Sequence, residues 1–148
     1  MFQKILVCLD GSKLAEQILP YAAEQAARFG SSLVLFQVVS LAAIPASTGI
    51  ESVPVAVPDR QLAEAEAEAK AYLDRLAQPL RDKGLKVQSV TAVGHPAEVI
   101  VGYADENRFD LVALATHGRS GIKRLVFGSV ADHVVRKSGL PILLIKPK

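Results

Sequence analysis

The chain has 148 residues, half of them hydrophobic and only 5% aromatic, so it suits one domain with a close-packed aliphatic core. Lys plus Arg number 17 and Asp plus Glu 15, a formal net charge of +2 that is too balanced to argue for nucleic acid or an anionic membrane. The one cysteine, Cys8, excludes an internal disulfide, and no apolar run reaches membrane-spanning length.

Met1 to Lys4 passes straight into an apolar segment without a leader pattern, which predicts a soluble, cytoplasmic protein. Lys4 to Leu9 is a continuous apolar run stopped by Asp10-Gly11-Ser12, the signature of a strand buried on both faces. Cys8 lies inside that run, where a thiol behaves as a small hydrophobe. Ser12 is a good N-cap, and Leu14, Ile18, Ala22, Ala26 and Phe29 recur at helical spacing up to Gly30. Pro20 falls inside this pattern and predicts a kink.

Ser32 to Val39 reads as a second buried strand. Ser40 to Pro58, with Pro45, Pro54 and Pro58, reads as a long loop. Asp59 suits a cap, and Gln61 to Lys83 is rich in helix formers, with Leu62, Ala69, Leu73, Leu76 and Leu80 as its apolar stripe. Pro79 predicts a bend near its end. Leu85 to Val93 is the third strand, and Gly94-His95-Pro96 turns into a helix over Ala97 to Asn107. Asp110 to Ala115 is the fourth strand. A polar, glycine-bearing segment, Thr116 to Arg124, leads to a last helix over Leu125 to Ser138 and an apolar strand over Leu140 to Ile145.

Strands and helices therefore alternate through five strands. Right-handed crossovers then give an open α/β parallel sheet, doubly wound, with helices on both faces. Such sheets bind ligands beyond the carboxyl ends of the strands, where the strand order reverses. Asp10 and Thr116 both fall at that edge. In the segment Ala115 to Gly121, glycines expose backbone amides, and a helix N-terminus favours negative charge. Arg119, Lys123 and Arg124 add cations. Together these suit a phosphate-bearing ligand, although an ordinary strand-to-helix loop has the same composition.

His117 has no Ser, Cys or second acid at a spacing that makes a catalytic set, so no catalytic residue is assigned. His95, His133 and Cys8 lack metal-ligand spacing, so no protein metal site is assigned. There is no G-x4-G-K-S/T and no G-x-G-x-x-G after the first strand, which argues against a P-loop NTPase and a dinucleotide-dependent dehydrogenase.

The stretch A-T-H-G-R-S-G-I-K-R-L-V-F-G-S-V-A-D-H-V-V, Ala115 to Val135, strongly resembles the signature of universal stress proteins. So do I-L-V-C-L-D-G-S (Ile5 to Ser12), V-G-H-P (Val93 to Pro96) and L-P-I-L-L-I-K-P (Leu140 to Pro147), in the right order over essentially the whole chain. The resemblance implies a Rossmann-like fold of the adenine nucleotide alpha hydrolase type, with strand order 3-2-1-4-5. It implies ATP as ligand, with Mg²⁺ or Mn²⁺ on the phosphates, held by a motif G-x2-G-x9-G-S/T. The second glycine of that motif is Gly118, followed by Arg119 to Phe127 and then Gly128 and Ser129, whereas Ala115 replaces the first glycine. By the same resemblance Leu9 and Asp10 approach ribose and base, Val38 lines the adenine pocket, and Leu114 and Val130 flank the nucleotide. It further implies a homodimer through the last strand, Pro141 to Ile145, and a role in stress signalling through an unidentified protein partner. A family member that binds no ATP, which Ala115 favours, and a slow ATPase remain as alternatives.

Overall fold

The computed structural model describes residues 1–40, 59–116 and 128–148. In chain order the elements are β1 (Lys4–Leu9), α1 (Lys13–Glu16), α2 (Leu19–Phe29), β2 (Ser32–Val39), α3 (Asp59–Asp82), β3 (Lys86–Val93), α4 (Pro96–Glu106), β4 (Leu111–Ala115), α5 (Ser129–Lys137) and β5 (Ile142–Ile145). The five strands form one parallel sheet of order β3-β2-β1-β4-β5, as expected.

Each strand's alternating side chains feed two aliphatic layers. Ile5, Val7 and Leu9 face the side covered by α1, α2 and α3, packing with Ile18, Ala22, Leu73 and Ala77. Leu6 and Cys8 face the opposite side, with Ile100 and Ala104 of α4 and Ala131 and Val134 of α5. Because both faces are covered, the central strands read as unbroken apolar runs rather than alternating ones. The buried aromatics Phe36 and Phe109 lie in the second layer, where Phe36 stacks on Tyr103 with ring centroids 4.5 Å apart.

Polar bonds fix the register at the amino edge. Asp110 Oδ2 accepts from the Lys4 backbone N–H at 2.8 Å, and Lys4 Nζ donates to the Asn107 carbonyl at 3.1 Å. These bonds start β4 beside β1. At the far end, Gln17 and the backbone of Lys148 exchange two hydrogen bonds of 3.1 and 3.0 Å, tying the segment after β5 to the turn between α1 and α2.

Besides shifts of one or two residues, three boundaries differ from the sequence reading. The single kinked helix expected from Ser12 to Gly30 is two helices, with Gln17 and Ile18 between them and Pro20 in the first turn of α2. Proline lacks an N–H and fits a first turn, where that donor has no intrahelical partner. It therefore starts a new helix instead of bending an old one. Gly30 ends α2 in the left-handed conformation, as expected. The last helix was expected from Leu125, but the described part begins at Ser129. Gly128 has φ 82° and ψ 153°, a conformation no helical residue adopts. Its expected start at Leu125, like the loop from 41 to 58, falls outside the described residues. The last strand starts at Ile142, although the Pro141 carbonyl still accepts from Val112 N–H at 3.1 Å. Pro141 has no N–H to give back.

Candidate functional site

The four βα junctions of this parallel sheet open on one edge, so residues distant in sequence meet there. The strand order reverses between β1 and β4, which adjoin each other although two strands and four helices separate them in sequence. A cavity of about 460 Å³ lies at that point. This is within the range of small-molecule and cofactor sites.

The turn after β1 supplies the cavity's charged wall. Asp10 Oδ1 accepts from the Ser12 backbone N–H at 2.9 Å, and Ser12 Oγ accepts from Ala15 N–H at 3.1 Å, capping α1. The pair turns the chain sharply through Gly11, at φ 85°, and leaves Asp10 exposed at the cavity. Asp10 is the only carboxylate among the described lining residues.

The opposite wall comes from β4 and α5. Leu114 and Ala115 end β4, and Thr116 N–H donates to the Ile145 carbonyl at 2.9 Å, holding that end against β5. Gly128, Ser129 and Val130 open α5. Its N-cap, Gly128, has no side chain to cap it, and its first backbone N–H groups form a positive dipole end beside the cavity. Val38 of β2 contributes apolar lining.

Eight of the ten residues singled out from the sequence thus line one cavity: Leu9, Asp10, Val38 and Leu114 with Ala115, Gly128, Ser129 and Val130. Gly118 and Arg119 lie outside the described residues, as does His117. Five lining residues were not anticipated: Cys8, Ala15, Pro96, Ile100 and Ala131. Pro96 and Ile100 belong to α4, whose entry turn follows β3 and therefore opens on the same edge. That placement was available from the parallel topology alone.

Cys8 forms part of the cavity floor, and burial pushes its thiol up to about 12. A thiol so placed stays protonated and unreactive at neutral pH. The shift also links stability to alkaline pH. The unfolded thiol ionises near 9.0 and the folded one near 12, so this contribution is complete below pH 9 and is lost as pH rises toward 12. Chemical denaturation from pH 8 to 11 should therefore show a shallower loss for Cys8→Ala than for the parent chain. Equal slopes would show that the thiol titrates normally. Among the described residues, no three His, Cys, Asp or Glu side chains gather to hold a metal ion, and no helix is long and apolar enough to cross a membrane.

Comparison with known proteins agrees with this architecture. The model of the "Universal stress protein family" matches residues 1–146. Universal stress protein YxiE of Bacillus subtilis is 30% identical over 148 residues, covering 99% of this chain and 100% of that protein. The solved structure of MJ0577, from Methanocaldococcus jannaschii, superimposes with a TM-score of 0.81 at 28% identity, over 100% of this chain and 98% of that one. A universal stress protein from Archaeoglobus fulgidus, solved in complex with dAMP, superimposes with a TM-score of 0.65 at 26% identity, over 99% and 100% of the two chains. With the fold, the strand order and the match over nearly its whole length in agreement, this chain belongs to the universal stress protein family.

Proposed function

We propose that the protein binds an adenine nucleotide, ATP, in the cavity between β1 and β4, and acts in stress signalling through protein contacts that depend on the bound nucleotide. The observation that carries this reading is the polarity of the cavity. Among the described lining residues the one carboxylate, Asp10, stands on the β1 side, and the N-terminus of α5 stands on the β4 side. A carboxylate accepts from ribose hydroxyls and repels phosphate, whereas a helix N-terminus attracts phosphate. Val38, Leu114, Ile100 and Val130 offer apolar surface for a base between them. The dAMP held by the Archaeoglobus fulgidus relative supports the same ligand class. Mg²⁺ or Mn²⁺ would arrive on the phosphates, since no metal-ligand cluster forms among the described residues.

Calorimetric titration with ATP tests the reading directly. Binding at micromolar to submillimolar concentration is expected, and Asp10→Ala should weaken it about tenfold, the worth of a charge-assisted hydrogen bond. No heat at millimolar ATP would favour the second reading, a family member that works through protein contacts alone. Ala115 is the observation behind that alternative, because its methyl stands on the cavity wall. The protein is read as a non-enzyme; steady phosphate release above that of an Asp10→Ala control would make it a slow ATPase instead.

The proposal includes a cytoplasmic homodimer. β5 is an edge strand, and all four of its residues are half-buried within the chain. An apolar edge invites strand pairing, and a second copy related by a two-fold axis satisfies it. Light scattering at micromolar concentration should give about twice the 15.8 kDa chain mass. A mass of one chain would remove the dimer.

A further inference from the structure

A second depression adjoins the first. Asp10, Val38 and Pro96 line both, so the two meet over the carboxyl ends of β1 and β2. The second, of about 680 Å³, lies on the side of the sheet covered by α3. Its existence follows from a mismatch of lengths. The 24 residues of α3 make a rod longer than the eight-residue strands it covers, about 36 Å against 27 Å. The residues of α3 buried in the chain begin only at Ala69. The preceding turns stand beyond the sheet edge and wall the depression through Ala65 and Glu68.

The chemistry of this groove differs from that of the first cavity. Among the described residues, two carboxylates, Asp10 and Glu68, and one guanidinium, Arg75, line it. Tyr72 Oη donates to Glu16 Oε1 at 3.3 Å. Burial and that carboxylate raise the phenol, so it stays protonated and adds no charge. Gln37 lines the groove, and its side-chain carbonyl has no hydrogen-bond partner among the described residues. Turning that amide toward a ligand therefore breaks no bond at its oxygen. Among its described lining residues, the two carboxylates against one guanidinium leave the groove's formal charge negative.

The first cavity's polarity sets what would enter the groove. A nucleotide with its phosphates at α5 and its ribose hydroxyls at Asp10 directs anything attached to the 2′ or 3′ oxygen past Asp10, into the groove. We propose that this groove is a second subsite, which accepts an amine-bearing group on the 2′ or 3′ oxygen of the bound adenine nucleotide and refuses an anionic one. It rests on the nucleotide reading above.

The test compares two pairs of ligands by calorimetry at low ionic strength. 2′/3′-O-(2-aminoethylcarbamoyl)-ATP should bind about threefold tighter than ATP, the range of a partly exposed ion pair, and Glu68→Gln should erase that gain. Adenosine 3′,5′-bisphosphate should bind at least about fivefold more weakly than AMP, because like charges meet. Ala65→Phe, which fills the groove from the exposed end of α3, should leave ATP binding within about twofold and weaken the amine derivative about tenfold. An amine derivative no tighter than ATP, a 3′-phosphate bound as well as none, or an Ala65→Phe effect equal on both ligands would overturn the subsite while leaving the nucleotide site standing. Failure of ATP and AMP themselves to bind would remove both readings.

Discussion

ATP should bind a Gly128→Val variant at least about tenfold more weakly than the parent chain. Gly128 combines φ 82° with ψ 153°, a region that only glycine adopts without strain. A β-branched side chain forces the backbone elsewhere, and the first N–H groups of α5 turn with it. Those groups are the cavity's positive end, so the phosphates lose their donors. The substitution leaves the packed face of α5 untouched, because Ala131 and Val134 lie further along. The variant should therefore keep its far-ultraviolet circular dichroism while losing affinity. Undiminished ATP binding by a folded Gly128→Val protein would mean that the phosphates do not meet α5.

Phe36→Ala should destabilise the fold by about 3–5 kcal/mol, measured by denaturant unfolding. Phe36 is 1% exposed, in the layer that also holds Leu6, Ile100 and Val112. Its ring stacks on Tyr103 at 10° between planes, and Tyr103 in turn packs on Phe109 at 5.7 Å. Aliphatic neighbours of this kind cannot swing in to refill an aromatic volume, so the deletion leaves a cavity in addition to the lost transfer energy. A loss below about 1.5 kcal/mol would show that the layer collapses freely around the gap.

The sheet was legible because burial on both faces writes itself into composition. Lys4 to Leu9 and Ser32 to Val39 form strands with the boundaries their apolar runs announce. Asp110 to Ala115 needs only one residue trimmed. Helix α3 was visible in its helix formers, yet Ala77 is fully buried and was not in the stripe read from the sequence. Alanine carries too little surface to mark a face. The split at Gln17 and Ile18 was hidden for a different reason. Leu14 and Ile18 keep helical spacing across it, and Ile18 stays fully buried whether the helix continues or restarts. Periodicity reports burial, not continuity.

Site residues divide along similar lines. Asp10, singled out as the carboxylate that ends the first strand, and Gly128, singled out through the family motif, both line the cavity. Ala15, Ile100 and Ala131 were missed because they belong to helices that pack in the core and only then reach the cavity. An aliphatic residue with both duties looks like core in the sequence. Cys8, read from the sequence as a small hydrophobe, is buried, and its place at the cavity adds the pH dependence given above.

Backbone amide chemical shifts followed during titration with ATP test the central claim most directly. A single set of perturbations is expected, centred on Asp10, Ala115, Gly128 and Ser129, with the amino edge of the sheet near Lys4 and Ser32 unmoved. Saturable shifts confined to another surface, or none at millimolar nucleotide, would contradict it.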